Sequence, residues 1–259
     1  MPPRIAVQLS SIPLPFAKAL AKVRTMGIRA VEIDVRTGLR TTDLTATALR
    51  EIRKRLEDHE LRVAAVDFPT RRGYGVADEL DRRVEATKAA MRMARSLGAD
   101  MVVNQIGDIP ADLSTTEGRL LVDVLTDLGL YGQHAGAWLS AETGSESGAD
   151  LKRLLDALPK HSLPITLDPG NLIVNDFSPQ ETLDLLGEDV RHVHAKDAVR
   201  DLGKRRGLEV TLGRGSVDWP ALLGSLEERG YRGYLSIERA GSDDPLVEIE
   251  QAAQYLASL

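Results

Sequence analysis

Four side chains able to hold a divalent cation or to move a proton stand at near-regular intervals in the second half of this 259-residue chain: Glu142, Asp168, His194 and Glu238. Each lies at the end of a short apolar or small-residue run, in "WLSAE", "PITLD", "VRHVH" and "YLSIE". A carboxylate finishing an apolar strand is costly to bury unless it is paired or bound to a cation. Any one of the four alone reads as a polar residue at a solvated strand end; four in succession read differently. Glu142 and Asp168 are 26 residues apart, as are Asp168 and His194, which is the length of one strand plus one helix. His194 and Glu238 are 44 apart, which leaves room for a longer loop. Three carboxylates and one imidazole make an oxygen-rich donor set, suited to Mn²⁺, Mg²⁺ or Co²⁺ rather than to a closed structural zinc site. Six-fold coordination would leave two positions for water or for substrate oxygens.

Such residues meet only if their strands lie side by side with their ends together. Short apolar runs alternate with amphipathic stretches along the whole chain. Strands are predicted at 4–10, 30–35, 61–68, 99–107, 137–142, 163–168, 190–195 and 233–238, with helices between them and a last helix over 245–259. Gly98 stands where a helix stop is expected. Alternating strands and helices imply a parallel sheet, and eight units in about 250 residues is the size of a closed barrel. The expected fold is α/β, a single (β/α)8 TIM barrel domain spanning 1–259, with its active site at the C-terminal ends of the strands. A doubly wound open sheet is the alternative, but no G-x-G-x-x-G follows the first strand.

The composition sets further bounds. A net charge of −6 is not the footprint of a general nucleic-acid binder. With no cysteine, disulfides, thiolate metal sites and cysteine nucleophiles are excluded. The opening "MPPRIAVQLSSIPLPF" does not read as a signal peptide, and no stretch approaches a bilayer-spanning length. A soluble cytoplasmic protein is expected, with no membrane or nucleic-acid partner; homo-oligomerisation is left open.

The ordered motifs "AETGSE" (141–146), "LDPGN" (167–171), "HVHAKDA" (192–198), "LGRGSVDW" (212–219) and "YLSIER" (234–239) resemble the xylose-isomerase-like TIM barrels, the sugar phosphate isomerase/epimerase superfamily. The resemblance implies Glu142, Asp168, His194 and Glu238 as ligands of one divalent cation, Mn²⁺ first, with Mg²⁺, Co²⁺ or Zn²⁺ as alternatives. It also implies Glu142 and Glu238 as the catalytic pair, one removing a proton next to a carbonyl and the other returning it through an enediolate. Asn171, Lys196, Asp197 and Arg200 are the implied substrate contacts, with Lys196 alternatively neutralising the carboxylate cluster. The implied function is an isomerase or epimerase of a small polyhydroxylated carbonyl compound. A lyase or dehydratase acting through the same enediolate is the alternative, and a non-catalytic sugar-binding barrel the second. The family's epimerases have D-x-x-H where this chain has "DPGN", and asparagine cannot carry a proton as imidazole does.

Three further expectations concern the remaining polar residues. His192 shares a strand face with His194, one layer deeper, and reads as an internal hydrogen-bonded histidine. His59, His134 and His161 fall in or beside helices and read as surface residues. The loop "TRRGYGVADE" (70–79) lies on the site face and is a candidate lid, with Gly73 and Gly75 free to flex.

Overall fold

In the computed structural model, which describes residues 3–39, 45–200 and 207–259, eight parallel strands close into a barrel. They are β1 (Arg4–Gln8), β2 (Ala30–Asp34), β3 (Arg62–Asp67), β4 (Met101–Asn104), β5 (Trp138–Glu142), β6 (Ile165–Leu167), β7 (Val190–Ala195) and β10 (Tyr234–Ile237). Between the last two comes a small antiparallel hairpin of β8 (Asp197–Val199) and β9 (Leu208–Val210). The barrel order is β1-β10-β7-β6-β5-β4-β3-β2, and closure places Val7 opposite Ile237.

Around it run α1 (Phe16–Thr25), α2 (Ala46–Asp58), α3 (Leu80–Ser96), α4 (Thr116–Ala135), α5 (Gly148–Ala157), α6 (Pro169–Val174), α7 (Pro179–Leu186), α8 (Trp219–Glu228) and α9 (Pro245–Ser258). The sequence periodicity predicts all of these but the six-residue α6, and it misses the hairpin. Side-chain oxygens start the helices: Thr45, Thr115, Ser147, Ser178, Asp218 and Asp244 each accept from a backbone amide three residues on. The charged α2 buries only Ile52 and Leu56, an i, i+4 stripe that turns one narrow face to the barrel. The main apolar core lies between strands and helices, where Leu20, Ile33, Met91, Leu121, Leu125 and Leu151 are fully buried.

The barrel interior is packed differently. Ala6, Ala30 and Ala64 form one small cluster, and Ala65, Met101 and Val103 another. Some of the polar side chains beside them pair with each other, as in the buried Ser140 Oγ to Thr166 Oγ1 contact of 2.7 Å, whereas the buried Ser236 hydroxyl, in register with Ala6, has no partner among the described residues. Two register shifts adjust which residues point inward. One between Val31 and Glu32 sets Glu32 opposite Ala65 and Asp34 opposite Asp67. The other, between Ile165 and Thr166, sets His192 opposite Thr166. Because strand side chains alternate, an extra residue in one partner changes the face of everything beyond it. No helix among the described residues is long and apolar enough to cross a membrane.

Candidate active site

Each candidate ligand is held by local chemistry before it meets the others. "DPGN" works as a helix start: Asp168 is the N-cap of α6, its Oδ1 accepting from the Asn171 amide at 2.7 Å, with Pro169 at the first helical position. This use of one oxygen aims the other, Oδ2, into the barrel mouth. Gly170 is required beside it, because a Cβ there would lie 2.5 Å from Lys196 Cγ. Glu142 ends β5, and its carboxylate accepts from Gln105 Nε2 at 3.2 Å and Asn171 Nδ2 at 3.3 Å. Glu238 follows β10 and accepts from Lys196 Nζ at 2.7 Å.

The three carboxylates converge on one nitrogen. His194 Nδ1 lies 3.1 Å from Glu142 Oε1, 3.1 Å from Glu238 Oε2 and 3.7 Å from Asp168 Oδ2. Its other nitrogen, Nε2, is 3.1 Å from Oε1 of Glu32, whose Oε2 is 2.8 Å from His192 Nε2. A carboxylate only accepts, so Nε2 carries the proton of that bond and Nδ1 is the nitrogen turned to the three carboxylates, the candidate ligand atom. Glu32 is wholly buried. Burial would raise its pKa, but the two histidines outweigh it and hold the carboxyl well below the usual range. Glu32 escapes notice in the sequence, where its only signal is a charge inside the apolar run "AVEIDV".

These donors suit a divalent cation. Asp168 Oδ2 and Glu238 Oε2 are buried with no well-formed hydrogen bond, their charged neighbours being Lys196 Nζ at 3.2 Å and His194 Nδ1 at 3.1 Å, and a divalent cation seated between them would satisfy both. Glu142, Asp168, His194 and Glu238 each place a ligand atom within 4.8 Å of all the others. Lys196 holds the group from one side, with Nζ 3.2 Å from Asp168 Oδ2 and 3.3 Å from Asn171 Oδ1. Burial would discharge this lysine, but Asp168 and Glu238 raise its pKa well above the ordinary value. Glu238 is conversely held down to about 2, its burial outweighed by Lys196 and His194.

The remaining expected residues divide. Lys196 and Asn171 belong to the cluster, where Asn171 bridges Glu142 to Lys196 through both ends of its amide. Asp197 does not: its buried carboxylate accepts from the backbone amides of Ala198, Gly213, Gly215 and Val217, so it shapes the loop after β9. Arg200 is 52% exposed and ion-paired with Asp176 at 2.9 Å, outside the cluster. His192 is the internal hydrogen-bonded histidine expected of it. His134 and His161 are exposed, and His59 is half-buried.

The 70–79 loop is not free to act as a lid. Tyr74 is fully buried, with its hydroxyl 2.8 Å from Thr87 Oγ1 and its amide 2.9 Å from the Ile106 carbonyl. Arg83 Nε donates to the Gly73 carbonyl at 2.8 Å, and its other nitrogens donate to the Val76 and Asp78 carbonyls. Gly73 and Gly107 allow close approach rather than flexing, since a Cβ on Gly73 would come within 2.2 Å of the Ile106 carbonyl oxygen.

Residues 20–259 match the family model of the xylose isomerase-like TIM barrel. The chain belongs to that family. Among curated relatives, the inosose dehydratase of Clostridium botulinum (strain Eklund 17B / Type B) is 25% identical over 158 residues, 56% of this chain and 46% of the relative. The chain thus aligns with about half the length of the curated relatives it matches. Among solved structures, a xylose isomerase domain protein from Planctomyces limnophilus superposes with a TM-score of 0.86 at 24% identity, over 99% of this chain and 96% of that one. A xylose isomerase-like TIM barrel protein from Mycobacterium smegmatis, in complex with magnesium, superposes at 0.81 with 18% identity, over 100% and 96%. The family is one of enzymes, among them isomerases, epimerases and inosose dehydratases.

Proposed function

We propose that the protein is a divalent-cation-dependent isomerase or epimerase of a ketose or aldose, free or phosphorylated, moving a proton at the carbon next to the carbonyl through an enediolate. The observation that carries this reading is the convergence of Glu142 and Glu238 on His194 Nδ1, each at 3.1 Å, from strands separated by β6 and β7. A substrate seated over that point lies between two carboxylates. Glu142, Asp168, His194 and Glu238 would hold the divalent ion, Mn²⁺ by preference, which would supply polarisation of the carbonyl and stabilisation of the charge developing on its oxygen.

The chain's own groups do the rest. One glutamate removes the proton and the other returns it to the opposite face, which inverts the carbon; a single glutamate returning it to the old carbonyl carbon isomerises, as the proton of the neighbouring hydroxyl passes to the old carbonyl oxygen. Gln105 and Asn171 fix the Glu142 carboxylate, and Lys196 fixes that of Glu238.

A second reading, a dehydratase that expels a β-hydroxyl from the same enediolate, draws on the curated inosose dehydratases and on Asn171, which cannot relay a proton. The test is incubation of the Mn²⁺-loaded protein in D2O with ketoses, aldoses and inososes. Deuterium at the carbon next to the carbonyl without water loss supports the isomerase or epimerase, and loss of water to an α-hydroxyenone or its 1,2-dicarbonyl tautomer supports the dehydratase. Neither, with sugar binding retained, makes the barrel a binding protein.

A further inference from the structure

The metal cluster occupies the β5, β6, β7 and β10 side of the barrel mouth, and the facing wall belongs to β2, β3 and β4. Most polar groups on that wall are already engaged. Asp34 uses its carboxylate on its own turn, accepting from the amides of Arg36 at 2.7 Å and Thr37 at 2.9 Å. Asn104 donates to the Phe68 carbonyl, and Gln105 donates to Glu142. Asp67, the last residue of β3, is different. It pairs in register with Asp34 and lies two residues beyond Ala65, which packs against Met101, Val103 and Trp138 within the barrel. Alternation therefore turns Asp67 to the same interior face. Its carboxyl is partly buried and makes no hydrogen bond or ion pair among the described residues, while its backbone carbonyl serves the Val35 amide.

The Asp67 carboxyl oxygens are not among the buried side-chain atoms that lack a partner, so solvent reaches them at the barrel mouth, and a carboxyl open there with no protein partner among the described residues can accept from a ligand hydroxyl in place of water. We infer that Asp67 is a substrate-contacting residue, binding a hydroxyl of the polyhydroxylated substrate from the wall opposite the metal cluster. This rests on the reading of the site as one for such compounds. Burial, followed by the charges of Glu32 on the neighbouring strand and of Glu142 and Glu238 across the mouth, raises its pKa well above the ordinary aspartate value against the opposing pull of His194, which fits a carboxyl that faces the cluster over the substrate space. A carboxyl there rewards a hydroxyl and rejects a methyl or hydrogen at the same position, so Asp67 is a specificity determinant.

The test compares wild type with Asp67→Asn and Asp67→Leu. Three readouts are used: Mn²⁺ affinity, melting temperature without sugar, and the melting shift and KM given by a panel of ketoses and of unreactive polyols such as xylitol and sorbitol. Mn²⁺ affinity is expected to stay within about threefold, because Asp67 is no ligand. The sugar-free melting temperature should hold or rise by a few degrees. Binding and KM for at least one hydroxylated ligand should weaken roughly 10- to 100-fold in Asp67→Leu, less in Asp67→Asn, whose amide can still bond a hydroxyl. A melting temperature that falls by several degrees, or ligand affinities unchanged in Asp67→Leu, overturns the inference. Polyols that bind wild type without any ketose reacting overturn the isomerase reading and leave the Asp67 comparison intact. No binding by wild type overturns both.

Discussion

His194 and Glu32 meet Nε2 to Oε1 at 3.1 Å across 162 residues of sequence. That contact decides which imidazole nitrogen faces the three carboxylates, and so presents Nδ1 as the candidate ligand atom of a histidine that otherwise has two choices. Glu32→Gln removes one of the two acceptor oxygens that His192 and His194 share. It is expected to weaken Mn²⁺ binding about 10- to 100-fold while the barrel stays folded. Calorimetric titration with Mn²⁺ checks this, and wild-type affinity in the variant would remove Glu32 from the metal centre.

The same cluster makes cation binding depend on pH. Burial favours neutral His194, but Glu32, then Asp168, Glu142 and Glu238, outweigh it and raise its pKa well above the imidazole range. Near neutral pH, Nδ1 therefore carries a proton that a cation must displace. Affinity should rise with pH, by up to about tenfold per unit, and weaken as pH falls. Titrations in buffers of different ionisation enthalpy should show about one proton released per ion. Equal affinities at pH 6 and pH 8 would contradict the assignment.

Replacing the ligands separates binding from proton transfer. His194→Ala should abolish stoichiometric Mn²⁺ uptake, read by elemental analysis. Glu238→Gln keeps an oxygen donor but cannot take a proton, so exchange of substrate hydrogen with D2O should fall about 10²- to 10⁴-fold. Exchange at the wild-type rate in that variant would leave Glu238 without a catalytic role.

Lys196 is the counter-charge of the cluster, 2.7 Å from Glu238 and 3.2 Å from Asp168, with its side chain only 8% exposed. Lys196→Met leaves two buried carboxylates without it. The metal-free protein should lose about 3 kcal/mol of stability, measured by urea unfolding, and Mn²⁺ should restore more stability than it adds to wild type. A variant as stable as wild type without metal would show that the carboxylates do not depend on the lysine.

The loop after β3 should behave as fixed structure. Gly73 has φ +61°, and a Cβ would meet the Ile106 carbonyl. Gly73→Ala is therefore expected to destabilise the fold by more than about 1 kcal/mol. A hinge in a mobile lid would tolerate the change with little loss, and thermal unfolding distinguishes the two.

Much of this protein is legible along the chain. Strand and helix alternate with periods of their own, so the eight units and the positions of Glu142, Asp168, His194 and Glu238 at or near strand ends follow from local pattern. In a parallel barrel equivalent strand ends must converge, which is why one unit of spacing predicts one site. What the sequence left undetermined was the other partner of each polar group. "HVHAKDA" contains a cluster lysine and a loop-building aspartate one residue apart, and only folding shows that Lys196 turns to Glu238 while Asp197 turns to the amides of Gly213 and Gly215. "TRRGYG" carries the glycines of a hinge, yet Tyr74 packs beneath Thr87 and anchors it. Local propensity fixes where a side chain stands along its own strand; what it touches depends on barrel closure and on register shifts of one residue. Closure brings Glu32 to His194, and the shift beside Thr166 turns His192 and His194 inward to meet it.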